Sequence, residues 1–398
     1  MLDAVIVVNG SQSSSGAAYA TSISFSGFSV TQTRTTFLEM YEVPSGGDWG
    51  VHRGAALFVQ DAENVTIAGL RFGQVGGNGV MLSNHVTDSL VADCDFRWSG
   101  DSAILLLGAT DAVDAGKPTY PNRNSVVRSS VFEVGVFGKQ TSAFAQFLAA
   151  NTTVRDSVFL NGPRAAINLN DGAFGGSLFE NNVAANFVRE TLDHGVVNTW
   201  DRYPYLAFTG VDDGFGDAQG RSIIKANDTF RANMLVNGYS GVWALDHDDG
   251  SAHFRDSENF LVFGGVKNFL GSHKVFAGNV ILYPGTPARS VGNRACATDD
   301  NNVYAEQHFD GNVCAVENAV FYSFFGCSAD DVNSTTFGSS YNTLFSDASD
   351  FTVCGNLSFA AWQTLGKDEG SVLAPTPPVA ELVALGASKV ISELRRHR

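Results

Sequence analysis

The chain has 398 residues, with 25 basic against 41 acidic side chains and a formal net charge of −16. That balance excludes nucleic acid as a partner, which needs a basic footprint, and disfavours adsorption to an anionic membrane. A hydrophobic fraction of 44%, with 42 glycines, 30 phenylalanines and only 17% charged residues, excludes a disordered chain and points to short apolar strands between many tight turns.

In chain order, residues 1–55 carry no regular pattern and read as irregular first coils. The opening MLDAVIVVNG has an early Asp and no basic start, which is not a signal-peptide pattern, and the mature chain is expected to begin here or to lack its true N-terminus. No run approaches the ~18 apolar residues of a membrane span. From residue 64 a motif recurs: NVTIAGLRF (64–72), DSLVADCDF (88–96), NSVVRSSVF (124–132), NTTVRDSVF (151–159), GSLFENNVA (176–184), NDTFRANML (227–235), SAHFRDSEN (251–259) and HKVFAGNVI (273–281). Its fourth position is apolar throughout: Ile67, Val91, Val127, Val154, Phe179, Phe230, Phe254 and Phe276. These anchors stand 22–27 residues apart, except for gaps of 36 and 51. The first gap holds an insertion around residues 111–121. The second holds either an extra coil or a loop around residues 205–220.

Three positions beyond each anchor runs a column of small or amide-bearing residues: Leu70, Cys94, Ser130, Ser157, Asn182, Asn233, Ser257 and Asn279. Self-similarity at this period marks a solenoid, and length alone, which suggests two or three domains, gives way to one elongated body. The expected architecture is an all-β, single-stranded right-handed parallel β-helix. Its coils stack at ~4.8 Å, so that Val, Ile and Phe fill the interior and Asn side chains bond to their equivalents above and below. Cys94 reads as an inward-facing turn residue. The division expected is irregular first coils over 1–55, a core carrying the site over 56–285, late coils with clustered cysteines over 286–375, and a helical tail over 376–398. The segment PVAELVALGASKVISEL (378–394) has helical periodicity and can cover an end of the stack.

Cys296, Cys314, Cys327 and Cys354 allow up to two disulfides in three pairings, and their spacing fits no zinc motif. With sequons at Asn9, Asn64, Asn151, Asn227, Asn333 and Asn356, they point to a secreted or cell-surface glycoprotein.

The chemistry concentrates thirteen residues after the anchors, where Val80, Ile104, Ile167 and Trp243 mark one strand column. Early coils carry nothing reactive there. Middle coils carry Asn168, Asn170 and Asp171, then Asp193, His194, Asn198, Asp201 and Arg202, then Asp246, His247, Asp248 and Asp249. Lys139 and Gln140 precede them, and His273 and Lys274 follow. Matching offsets in adjacent coils bring side chains to ~5 Å and alternate coils to ~10 Å. Carboxylates ~5 Å apart suit a retaining glycosidase and ~6.5–9.5 Å an inverting one, and the stack offers both. Crowded carboxylates raise one another's pKa and keep a proton for general acid work. The candidate catalytic set is Asp171, Asp193, His194, Asp246, His247 and Asp248. The candidate substrate-binding set is Lys139, Arg164, Asn170, Arg189, Asn198, Trp200, Asp201, Arg202 and Lys274. Against this, Asp171 and Asp249 each precede a glycine and make ordinary turns, and Trp243 at an anchor position suits the core. Clustered Asp and Asn oxygens also suit calcium, but no calcium-binding repeat is present, and no metal or cofactor is expected.

At SGGDWGVHRG (45–54), GKQTSAFAQF (138–147), NGPRAAINLNDG (161–172), RETLDHGVVNTWDRYPY (189–205), LDHDDGS (245–251), GGVKNFLGSHK (264–274) and WQTLGKDEGS (362–371) the chain resembles right-handed β-helix proteins of the pectin-lyase-like superfamily. The likeness runs over residues 40–372. It implies carbohydrate-active chemistry of the kind performed by pectate lyases, polygalacturonase-like hydrolases and uronate epimerases. Polygalacturonase-type hydrolases use Asn-x-Asp, Asp-Asp, Gly-His-Gly and Arg-x-Lys on neighbouring coils. NLND (168–171), Asp248–Asp249 and DHG (193–195) are similar pieces in a different order.

Three functions follow. A secreted glycoside hydrolase would use Asp246 or Asp248 as general acid and Asp193 as base or nucleophile. His194 and His247 would tune these groups, and Arg164, Arg189 and Arg202 would hold the substrate. A lyase or C5-epimerase of a uronic-acid polymer would use His194 or Lys139 as base, with Arg or Ca²⁺ neutralising the carboxylate. A monomeric, non-catalytic carbohydrate-binding solenoid is the third. The expected partner in each is a polysaccharide or oligosaccharide.

Overall fold

The computed structural model describes residues 2–13, 16–42, 49–110, 119–173, 175–191, 194–201, 226–236, 243–284, 295–299, 306–317, 320–324, 337–348, 351, 353 and 357–396. Each coil lays down three short strands, and every strand pairs in parallel with its equivalent one coil away. One coil runs through Leu57–Glu63, Thr66–Ala68 and Arg71–Gly73 before the next opens at Val80–Thr87. Three parallel sheets result. The first extends from Ile6–Asn9 to Tyr322–Phe324, the second from Ser24–Ser26 to Phe337–Ser340, and the third from Ser29–Thr31 to Val372–Ala374. The fold is the expected parallel β-helix, and its first coil is already present in the irregular opening residues.

The stacking register differs from the sequence count at two coils. Second-sheet partners run Ile67, Val91, Val126, Val154, Phe179, Phe230, Asp256, Phe276. Val126 replaces Val127, and Asp256 replaces Phe254. The ladder at the following bend shows why. The backbone N–H of Asn182 donates to Asn233 Oδ1, Asn233 to Asn259, Asn259 to Asn279 and Asn279 to Asn312, each at 2.9 Å. Each amide also donates back to a carbonyl, as Asn233 Nδ2 does to Phe179 at 2.9 Å. Ser129 and Asn259 therefore occupy the rungs assigned above to Ser130 and Ser257. The ladder satisfies bend amides that no strand can reach. Cys94 closes its early end, buried, with Sγ 3.2 Å from the Ala92 carbonyl, and burial pushes its thiol pKa up.

Phe179 and Phe230 are direct partners, and their rings stack at 4.5 Å. The long gap between them is thus one coil with an insertion. In the first sheet the inward column reads Leu57, Val80, Ile104, Phe144, Ile167, Val197, Leu245, Val266. Leu245, not Trp243, holds the inward place.

The covers also differ from expectation. Helix α1 (Phe359–Thr364) buries Trp362 against Tyr322 and Phe324 at the far end of the stack. Asp368 ties this end together, accepting from Trp362 Nε1 at 2.9 Å, Tyr322 OH at 3.0 Å and Asn342 Nδ2 at 2.9 Å. Helix α2 (Val379–Arg396) lies instead along the outer face of the third sheet, where Leu382 joins Phe260, Val280 and Leu282. Gly386 permits that approach, because a Cβ there would come 2.3 Å from the Phe260 ring. Cys296 and Cys314 form a disulfide. Cys327 and Cys354 lie outside the described residues. No helix among the described residues is long and apolar enough to cross a membrane.

Candidate functional site

The outer face of the first sheet changes character along the stack. In the early coils Met81, Leu105, Ala145 and Phe147 face outward beneath Trp49, Val51 and Ala55 of the N-terminal segment. The next outward positions in the Leu105–Ala145 column are Asn168, Asn198, Asp246, Lys267 and Thr298. Alternation along a strand sends these side chains away from the core, yet all five are buried.

Lys267 is the hub of this column. Its Nζ lies 3.1 Å from Asp246 Oδ1 and 2.9 Å from Asp248 Oδ1, so those two oxygens are at most 6.0 Å apart. Asn198 Nδ2 donates to Asp246 Oδ2 at 3.1 Å. The ammonium also sits 4.5 Å from the ring centroid of Trp243, whose Nε1 donates to Thr298 Oγ1 at 3.2 Å. Asp246 is fully buried, whereas the Asp248 side chain is 25% exposed. Asn168 has neither amide atom hydrogen-bonded among the described residues, and Asn198 Oδ1 is likewise without a partner. Such groups cost roughly 1–3 kcal/mol each, which marks the face as built for a further partner.

A second group adjoins the first. Arg164 stacks on the Trp49 ring at 4.2 Å and contacts Gln140 Oε1 and His194 Nε2. Burial, then the charges of Arg164 and Lys267, lower the His194 pKa to about 3. The imidazole is therefore neutral. Because Nε2 accepts from Arg164, its N–H is on Nδ1, which has no partner among the described residues. His194 can offer a hydrogen bond there, but its basic nitrogen is occupied.

His247 faces the other way. It lies in the inward column beside Phe254, with ring centroids 4.4 Å apart, and is fully buried. Nε2 lies 2.6 Å from Asp256 Oδ2, Nδ1 lies 2.7 Å from Thr199 Oγ1, and Thr199 continues to Ser251 Oγ at 2.8 Å. This chain resembles a nucleophile–base–acid relay, but it is sealed inside the coil, where it fixes the bend around Ser251. A place on the surface stripe, expected from the sequence, does not hold for His247.

The remaining candidates scatter. Asp171 sits at the corner after the strand with φ 34°, as Asp61, Asn84 and Leu148 do in earlier coils at φ 50–56°. This is the left-handed bend that Asp and Asn tolerate. Asn170 accepts from Trp49 Nε1 at 2.8 Å once its amide is oriented by its neighbours. Trp200 belongs to the apolar cluster with Trp49 and Phe147, and the Asp201 N–H donates to the Asp249 carbonyl at 2.9 Å. Lys139 pairs with Glu190 at 3.0 Å and Arg189 with Glu133 at 2.9 Å, both as cross-coil surface ion pairs. Lys274 belongs to the second sheet, is buried, and donates to the Leu270 carbonyl at 2.6 Å, away from the stripe. Asp193 and Arg202 lie outside the described residues. No group of three or more His, Cys, Asp or Glu among the described residues is arranged to hold a metal.

The sequence count missed Lys267 because it took Phe254 as an anchor. Counting from the asparagine rungs Asn233 and Asn259 would have set Lys267 beside Asp246. Trp49 and Asp256 carried no periodic signal.

No family model matches the chain. No curated protein matches it. Among solved structures it is similar to XylC in complex with xylose, with 8% identity, TM-score 0.44, and coverage of 88% of this chain and 52% of that one. It is similar to the GH136 lacto-N-biosidase from Eubacterium ramulus, with 8% identity, TM-score 0.46, and 90% and 59% coverage. The periplasmic alginate epimerase AlgG gives 8% identity, TM-score 0.43, and 81% and 75% coverage. The chain thus spans about half the length of XylC.

Proposed function

We propose that the chain is a secreted carbohydrate-active enzyme, a glycoside hydrolase whose site is the outer face of the first sheet around Lys267. One observation carries this reading. Lys267 gathers Asp246 and Asp248 within 3.1 Å of one ammonium, next to the unsatisfied amide of Asn168 on the same face. Asp248 reaches solvent and is assigned proton transfer to the glycosidic oxygen. Asp246 is a positioning residue that holds Lys267 and Asn198. Asp193 is the proposed partner base. Arg164, the His194 Nδ1–H and the Asn168 amide are proposed to bind sugar hydroxyls. The Cys296–Cys314 bridge supports an oxidising compartment.

The convergence of two cations, Arg164 and Lys267, on His194 favours a second reading, a lyase or C5-epimerase in which these cations neutralise a uronate carboxylate. The deciding experiment incubates the chain with neutral and uronic-acid polysaccharides and follows reducing ends together with the ultraviolet absorbance of an unsaturated uronate. Reducing ends without that absorbance, lost in Asp248→Asn, support the hydrolase. Absorbance supports the lyase, and C5 proton exchange without cleavage supports the epimerase. No turnover on any polymer rejects the enzymatic reading.

A further inference from the structure

The outer face of the third sheet changes character as well, in the opposite sense. Toward the C-terminal end its outward residues are Phe260, Val280 and Leu282, and helix α2 covers them. In the first coils the same two columns read Ser29, Arg71, Asp95, Ser130 and Thr31, Gly73, Arg97. No described element lies over them, and a groove of about 930 Å³ runs there.

The groove has the parts that sugar recognition needs. Trp98 lines it with 45% of its surface exposed, its indole held edge-on to Phe132 at 6.1 Å and 87°. It stands in the left-handed region at φ 55°, a conformation costly for a bulky residue. An indole fixed in the open offers an apolar face to a pyranose ring. Asp95 is held in place, accepting from Arg97 Nε and from Ser130 Oγ, each at 2.7 Å. Asp93 is paired with Arg128 at 2.8 Å. Arg71 alone of the groove's charged groups has no ion pair among the described residues, and it is exposed. Its guanidinium fork matches a carboxylate. Coils repeat every ~4.8 Å, close to the length of one pyranose unit, so a glycan laid along the axis presents one residue to each coil.

We propose that this groove is a non-catalytic binding site for an acidic glycan, with Trp98 stacking on a sugar ring and Arg71 meeting a uronate carboxylate. It lies on a different sheet from the Lys267 cluster and does not depend on the reading of that cluster.

The test titrates the whole chain with oligogalacturonate and with neutral oligoxylose, reading affinity by calorimetry and location by backbone hydrogen exchange. The Asp248→Asn chain is used in parallel so that turnover does not interfere. Expected are binding of oligogalacturonate in preference to oligoxylose and added protection across Arg71–Gly73 and Asp95–Arg97. Trp98→Ala should weaken binding about tenfold or more. Arg71→Gln should reduce the acidic ligand to the affinity of the neutral one. Gly73→Tyr should block the groove without disturbing the fold. Its Cβ would meet only Thr31, at 3.7 Å, and Phe132 occupies the same column two coils on. Unchanged melting of the variants shows that the fold is intact. No binding, protection confined to the first sheet, equal affinity for both ligands, or undiminished affinity in Trp98→Ala and Gly73→Tyr would each overturn the proposal.

Discussion

Asp256 stands in the second-sheet column between Phe230 and Phe276, and its Oδ2 lies 2.6 Å from Nε2 of His247. Both side chains are fully buried. A stack that otherwise places aromatics here accommodates a charge-bearing group by supplying an imidazole from the adjoining sheet. Breaking a buried pair of this kind leaves one partner without compensation, at a cost of about 3–5 kcal/mol, whereas replacing both with apolar groups can be neutral. Asp256→Ala and His247→Ala should each lower stability by that amount in denaturant titration. Combining His247→Leu with Asp256→Phe should recover most of it. An equal loss in the double variant would show that the relay has no apolar substitute.

Asp248→Asn should lower turnover on the preferred polysaccharide by on the order of 10²–10⁴-fold, the usual size of a general acid contribution. The change in unfolding free energy should stay within about 0.5 kcal/mol, because the side chain is partly exposed. Lys267→Met should instead cost stability, since it leaves the buried Asp246 beside an apolar group. Initial rates and melting curves on the same samples separate the two effects.

Asp228 is fully buried at the bend before the second sheet, accepts the Ser177 N–H at 2.8 Å, and has its pKa raised by burial to about 7. The folded state thus retains a proton that the unfolded chain releases near 3.8. Stability is present at low pH and is lost as pH rises through about 7. His194 has the opposite sign. Its pKa falls from 6.5 to about 3 on folding, so its contribution is present above 6.5 and lost as pH falls toward 3. Asp228→Asn should therefore gain stability at neutral pH, by up to about 4 kcal/mol on the full shift, and little at pH near 4. Urea titrations at both pH values measure this. A gain independent of pH would show that Asp228 is ionised in the fold throughout.

The Cys296–Cys314 bridge closes a separation of 18 residues across the late coils. Reduction should lower stability by about 3 kcal/mol. Thermal melts with and without reductant check it, and the loss should be absent in the Cys296→Ser chain.

The architecture was legible because apolar anchors and asparagines repeat on one period, and stacking converts that repeat directly into columns. The errors arose where a single residue broke the column. Asp256 lies where an aromatic was counted, so the count chose Phe254, two residues early, and carried the shift forward. That hid the adjacency of Lys267 to Asp246 and put Trp243 in place of Leu245. The inward or outward sense of His247 was equally invisible, since one residue of register reverses every side chain on a strand. Asp171 was legible as chemistry but is set by backbone geometry, at a corner that demands a left-handed residue.

Because Phe179 stacks directly on Phe230, the coils on either side of the long insertion meet as though it had no length. Its two ends are held at a fixed gap by the neighbouring rungs, and doubling an insertion adds only about 0.6 kcal/mol of closure entropy. The segment between Asp201 and Asp228 is therefore free to lengthen, shorten or be exchanged while the pitch of the stack stays constant. Next to the Lys267 cluster, this makes the solenoid a chassis with an interchangeable part, in which specificity can be altered by a cassette swap that leaves every rung where it is.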